Sequence, residues 1–164
     1  MRDRAKPAST PVTLRPGRMS DLEELQALEQ AVFTTDKLSR RSFRHFLTSP
    51  QASVIVAEEA GKFAGYVLIL YPPRSQLARL YSVAVAPHVG GRGIGPKLLA
   101  AAEAAAKRHG RRTMRLEVHE ANKRAIARYE KSGYRLFGRH HEYYDDRGHA
   151  LRFEKPLGRS ANPD

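Results

Sequence analysis

The sequence predicts a single α/β domain, a mixed β-sheet with helices on its faces. Three observations carry that prediction. The chain has 164 residues, about one domain's length and enough to bury a core without metal or disulfide staples. Its apolar pattern switches repeatedly between strand and helix periods. A hairpin region is followed by β-α-β units, the order that places antiparallel and parallel strands in one sheet.

Residues 1–11 and 159–164 carry charge, proline and small residues with no apolar period, so both are expected to be disordered flanks of a domain spanning 12–158. Ser20 with Glu23 reads as a capping box, and Leu22, Leu25, Leu28 and Val32 follow at helical spacing. Leu38, Phe43, Phe46 and Leu47 predict a second, shorter helix stopped before Pro50. Ser53 to Glu58 and Phe63 to Tyr71 are β-rich runs joined by a Gly61-containing turn, a hairpin signal. A third run, Ala78 to Val85, leads through Pro87 into a glycine-rich loop. Pro96 to His109 is rich in alanine and leucine and ends in cations before Gly110, as a helix C-terminus prefers. Met114 to Val118 predicts a strand and Asn122 to Ser132 a helix stopped by Gly133. Tyr134 to His141 and Ala150 to Lys155 predict the closing strands.

Composition removes several functions. With no cysteine there is no disulfide framework, thiol nucleophile, iron–sulfur cluster or thiolate-bound zinc. The seven histidines show no HExxH and no i, i+4 pair, so no metal site is predicted. The longest apolar run, Ala64 to Tyr71, is far short of the ~20 residues of a membrane helix. The basic start lacks the apolar stretch of a signal peptide, so a cytoplasmic protein without membrane contact is expected. A formal charge of +12 favours a polyanion such as nucleic acid, a ribosome or a phosphorylated cofactor. A basic RNA- or ribosome-binding module is therefore one reading, although the arginines are scattered and no RNA-binding signature is present.

Gly90-Gly91-Arg92-Gly93-Ile94-Gly95 lies between a predicted strand and a predicted helix, where close backbone approach and the helix dipole favour phosphate. A P-loop would need Lys after its last glycine, and this chain has Pro96. A dinucleotide fingerprint would need glycine at that same position.

Val83-Ala84-Val85-Ala86-Pro87 with Gly91-Arg92-Gly93-Ile94-Gly95 resembles the acetyl-CoA signature of the GCN5-related N-acetyltransferases (GNAT). Leu116-Glu117-Val118, Asn122, Ala125, Tyr129, Gly133 and Tyr134 look like the branch that acetylates ribosomal-protein alanine. The resemblance covers most of Val12 to Leu157. It implies a strongly twisted sheet whose two central strands splay to admit the pantetheine arm. It implies backbone contacts to acetyl-CoA from Val83, Ala84 and Val85, a pyrophosphate cradle from Gly91, Arg92, Gly93, Ile94, Gly95 and Pro96, and cofactor contact at Asn122 and Tyr129. The chain departs from the family pattern at Gly90, usually Gln or Arg, and at Pro96, which removes one possible N–H donor.

Acetyl transfer needs a neutral amine, a polarised thioester and a proton for the departing thiolate. Alternation places Arg115, Glu117 and His119 on one strand face, which by itself reads as solvated. The resemblance implies Glu117 as general base and Tyr129 as general acid. Asn122, Ala125 and Tyr129 share one helix face, where the Tyr129 ring could equally be core. Tyr143 and Tyr144 resemble the family's aromatic pair at the acceptor cleft, or else are a hydrophobic strand end.

A peptide α-amine is roughly a tenth neutral at pH 7, and a lysine only about 0.04%, a difference of about 3 kcal/mol. A single carboxylate base therefore suits a peptide or protein N-terminus, or another low-pKa small amine, better than lysine.

Overall fold

A computed structural model describes residues 11–89, 93–144 and 146–158. Among them seven strands form one sheet in the order β1-β2-β3-β4-β5-β7-β6. The strands are β1 (Val12–Pro16), β2 (Ala52–Glu59), β3 (Lys62–Leu70), β4 (Leu77–Val85), β5 (Thr113–His119), β6 (Arg135–His140) and β7 (Ala150–Pro156). The helices are α1 (Leu22–Val32), α2 (Arg40–Thr48), α3 (Ile94–Arg108) and α4 (Lys123–Lys131). Only β4 and β5 run parallel; every other pair is antiparallel.

Two local expectations are corrected. The stretch before the first helix is a strand, β1, which pairs with β2 from Val12↔Glu59 to Pro16↔Ile55. Its five residues are too few, and too exposed, to show a period. The expected Ser20–Glu23 capping box does not form. Instead a 3-10 turn, Met19–Asp21, leads into α1, and the Asp21 carboxylate accepts the Arg18 N–H at 2.7 Å. Asp21 also accepts two bonds from Arg15, at 2.7 and 2.8 Å, and Arg15 reaches Glu58 on β2. Arg15's hydrogen bonds hold the Asp21 pKa below its usual value. One guanidinium thus ties the edge strand, its neighbour and the entry to α1 together.

The helices lie on opposite faces of the sheet. Tyr66 packs edge-on against Phe43 of α2, with ring centroids 5.5 Å apart. The preceding Gly65 faces the other way, where a Cβ would lie 3.3 Å from Leu98 of α3 and 2.7 Å from the Ala84 carbonyl. Any side chain at Gly65 would push α3 or β4 outward. The α3 face is lined by Val67, Ile69, Ala102, Ala106, Met114 and Leu116, all buried.

β4 and β5 pair over only four positions, Leu77↔Thr113 to Leu80↔Leu116, although both strands continue. The cause lies in β4. Opposite β3, Leu68 pairs with Ser82 and Ile69 with Leu80, so Tyr81 is an extra residue. A bulge of this kind bends its strand and increases the local twist, turning β4 away from β5.

Beside this bulge sits a buried carboxylate. Glu29 of α1 is 1% exposed and accepts from the Leu38 N–H at 2.8 Å and the Tyr66 hydroxyl at 2.5 Å. Because Tyr66 donates its proton there, the Ser82 hydroxyl donates to Tyr66, at 2.8 Å. Burial pushes the Glu29 pKa up, so stability falls as pH rises from the ordinary carboxylate value through the higher folded one. Tyr66→Phe removes a donor to the charged form and is expected to cost about 1.5–3 kcal/mol at pH 7. The loss should be smaller at pH 4, where Glu29 is protonated. Urea denaturation at the two pH values checks this; an equal loss at both would contradict it.

Candidate active site

The opening between β4 and β5 has two rims and two faces. On the β4 rim, Ser82–Val85 keep their ladder with β3 while their other edge lacks a β5 partner. Val83, Ala84 and Val85 therefore sit on a strand edge whose main-chain groups are available. On the β5 rim, Glu117, Val118 and His119 pair with β7 alone.

Alternation along β5 is as expected: Met114, Leu116 and Val118 are buried on the α3 side, and Glu117 points to the α2 side. That second face is not simply solvated, because the Glu117 side chain is only 13% exposed. Its Oε2 accepts from Arg79 Nε at 3.1 Å, and its Oε1 lies 3.8 Å from Arg152 Nε. Arg79 also donates to the Tyr143 hydroxyl and lies 5.4 Å from the Tyr81 ring centroid. Neither arginine was expected from the sequence. Each looks like an ordinary strand cation, and only the register that aligns Arg79 with Arg115 and Glu117 with Arg152 brings them to one carboxylate.

Tyr129 is on the other face, on α4, buried and 5.8 Å from the Tyr134 ring. Tyr134 in turn donates its hydroxyl to Glu103 of α3 at 3.0 Å. Among the described residues nothing hydrogen-bonds the Tyr129 hydroxyl. Burial pushes its pKa up, with Arg128 opposing. It keeps its proton at neutral pH.

Tyr143 and Tyr144 are not a strand end. They stand in the loop between β6 and β7, half-buried and perpendicular to each other. Tyr144 stacks on His119 at 5.0 Å. Burial first, then its acidic neighbours such as Glu117 and Asp36, push the Tyr144 pKa up. His119 is fully committed: its Nδ1 accepts the Ala121 N–H at 3.0 Å, so its Nε2 donates to Asp146 at 3.1 Å.

Gly90, Gly91 and Arg92 lie outside the described residues. Gly93 caps α3 in the left-handed region, φ +73°, a conformation glycine adopts without strain. Ile94 and Gly95 open the helix, where main-chain N–H groups are free of intrahelical partners; Pro96 contributes none. A Cβ on Gly95 would lie 2.7 Å from an Arg128 nitrogen of α4. A cation therefore leans on this helix N-terminus, a residue the sequence reading missed because it looks like the exposed side of α4. Helix dipole, free N–H groups and Arg128 together fit a phosphorylated ligand. Asn122 is the N-cap of α4, its side-chain oxygen accepting the Ala125 N–H at 3.2 Å. Among the described residues no cluster of three or more side chains could hold a metal ion, and no helix is long and apolar enough to cross a membrane.

The chain belongs to the acetyltransferase (GNAT) family, whose pattern matches residues 19–134, and is an N-acetyltransferase of the type that family comprises. It is similar to a candidate ribosomal protein bS18-alanine N-acetyltransferase of Bacillus subtilis, 28% identical over 139 residues that cover 85% of this chain and 91% of that one. The ribosomal-protein-S18-alanine N-acetyltransferase of Escherichia coli has the same fold, with TM-score 0.79, 24% identity and coverage of 94% and 97% of the two chains. So has a candidate acetyltransferase of Salmonella typhimurium solved with its cofactor acetyl-CoA, with TM-score 0.78, 21% identity and coverage of 94% and 99%.

The loop carrying Tyr144 is seated on His119 through Gly148, where a Cβ would overlap the imidazole and lie 2.8 Å from Asp146 Oδ1. Gly148→Ala should therefore unseat the loop, costing about 1–3 kcal/mol in urea denaturation and speeding proteolysis between residues 141 and 149. Unchanged stability with unchanged proteolysis would separate the loop from His119.

Proposed function

We propose that the protein acetylates the N-terminal α-amine of a peptide or protein from acetyl-CoA, with Glu117 as general base and Tyr129 as general acid. The observation that carries this reading is the pair's placement. Glu117 is a carboxylate only 13% exposed on the stretch of β5 that β4 no longer pairs with, and Tyr129 is a buried phenol that keeps its proton.

When bound, acetyl-CoA supplies the thioester-activated acetyl group. Val83, Ala84 and Val85 would offer main-chain groups to its pantetheine amides. The cradle from Gly91 to Pro96 would hold its pyrophosphate, with Ile94 and Gly95 giving N–H groups and Arg128 a counter-charge. Asn122 would contact it from the start of α4. Glu117 takes the acceptor's proton, directly or through water, because only the neutral amine is nucleophilic. Tyr129 holds its proton until the thiolate needs it. Tyr143 and Tyr144 wall the acceptor side. Similarity to ribosomal-protein acetyltransferases and a charge of +12 support a cytoplasmic acceptor presented by a ribosomal particle.

A thiol-release assay with acetyl-CoA, offered an alanine-led peptide, an N-blocked lysine peptide and a small amine, tests the reading. The alanine-led peptide should react fastest. Release only with the lysine peptide or the small amine overturns the acceptor, and no release with any of them overturns the activity. In the same assay Glu117→Gln should lower kcat by about 10²–10⁴-fold; an unchanged kcat removes it as base. Tyr129→Phe keeps the packed ring and should lower kcat by about 10²-fold or more. It should also abolish the alkaline limb, which burial places above the ordinary tyrosine value of 10.0. Full activity with that limb intact would leave Tyr129 as a core residue.

A further inference from the structure

Arg79 is more than the counter-ion of Glu117. A guanidinium has five N–H bonds, and here one Nε–H goes to Glu117 and one Nη–H to the Tyr143 hydroxyl. The others have no partner among the described residues, and the side chain is 34% exposed. They reach a groove of about 280 Å³ between α2 and the end of β3, lined by His45, Phe46, Gln51, Tyr71 and Arg79. On the opposite side of Glu117, Arg152 Nε is enclosed with no hydrogen-bond partner. Two guanidinium groups thus surround one carboxylate. Tyr81 and Tyr143 also face Arg79, and Phe137 lies 4.8 Å from Arg152, while Asp36 acts on Tyr81 and Tyr144 from the α1–α2 connection.

This arrangement repels a bare cation and offers donors to an oxygen. Arg79 donates its Nε–H to Glu117 Oε2, so the unpartnered Nη–H groups of the same guanidinium stand next to the carboxylate that would receive the amine. In an α-amino carbonyl compound, the amine nitrogen and the carbonyl oxygen are separated by roughly 3 Å. An amine on Glu117 would therefore carry its neighbouring carbonyl or carboxylate oxygen onto the free edge of Arg79. A lysine side chain or a simple alkylamine has no oxygen there and would leave those donors unpaired, a strong basis for rejection.

We propose that Arg79 is a specificity-determining residue that reads an oxygen one carbon away from the acceptor amine, selecting α-amino carbonyl acceptors. The inference rests on Glu117 receiving the amine. The shared chemistry has two sources, the first carbonyl of a peptide and the carboxylate of a free amino acid.

The test compares kcat/KM for alaninamide, alanine and isopropylamine in the wild type, Arg79→Ala and Arg79→Lys. The readout is the ratio of an oxygen-bearing acceptor to isopropylamine within each protein, and amine basicity cancels when that ratio is compared between proteins. Arg79→Ala is expected to lower the ratio by about 10- to 100-fold, with Arg79→Lys, which keeps a cation without the fork, in between. A larger drop for alaninamide assigns the site to peptides; a larger drop for alanine assigns it to free amino acids. A ratio equal to the wild type's overturns the proposal, because a residue that only positions Glu117 lowers all acceptors together. Wild-type protein inert toward all three refutes the α-amine acceptor on which the inference rests, a result distinct from an unchanged ratio. Should Arg79→Ala fail to fold, Arg79→Lys carries the same comparison.

Discussion

The structure depends on how briefly β4 and β5 pair. Four parallel positions hold them together, and then the extra residue Tyr81 bends β4 away. A longer ladder would close the sheet and leave no cleft. Two facing strand edges beyond Leu80 and Leu116 must otherwise be satisfied by water or by a ligand's amides. The same short joint sets Arg79 of β4 beside Glu117 of β5, so the opening and its charge arise from one feature.

What surrounds the joint keeps it from closing or sliding. Glu29, Tyr66 and Ser82 fasten α1 to the bulged stretch of β4. Arg15 and Asp21 fasten the start of α1 to the far edge of the sheet. On the other face Tyr134, Glu103 and Lys155 link the end of α4 to α3 and β7, with Glu103 receiving both the phenol and the ammonium. The acid candidate Tyr129 is therefore carried on a helix anchored at its C-terminal end, and Asn122 caps the other end.

The cleft itself is electrostatically uneven. The α3 N-terminus with Arg128 is cationic, as suits phosphate. Two arginines flank Glu117, which distinguishes this pocket from one built for a polycation.

The sequence by itself determined the mixed sheet, the hairpin, the alternation of β5 and the helix that carries Tyr129, because periodicity and turn residues act over a few neighbours. Gly93 at the start of α3 and Asn122 at the start of α4 were legible too, since helix boundaries are local demands. β1 was not legible, being short and without a period, and neither was the helix entry, where Asp21 prevailed over Ser20 because Arg15 arrives from a strand to hold it. Arg79, Arg128 and Arg152 were ordinary surface cations in one dimension. Only tertiary structure decided their contacts, through strand register and helix packing between residues as far apart as Arg79 and Tyr143.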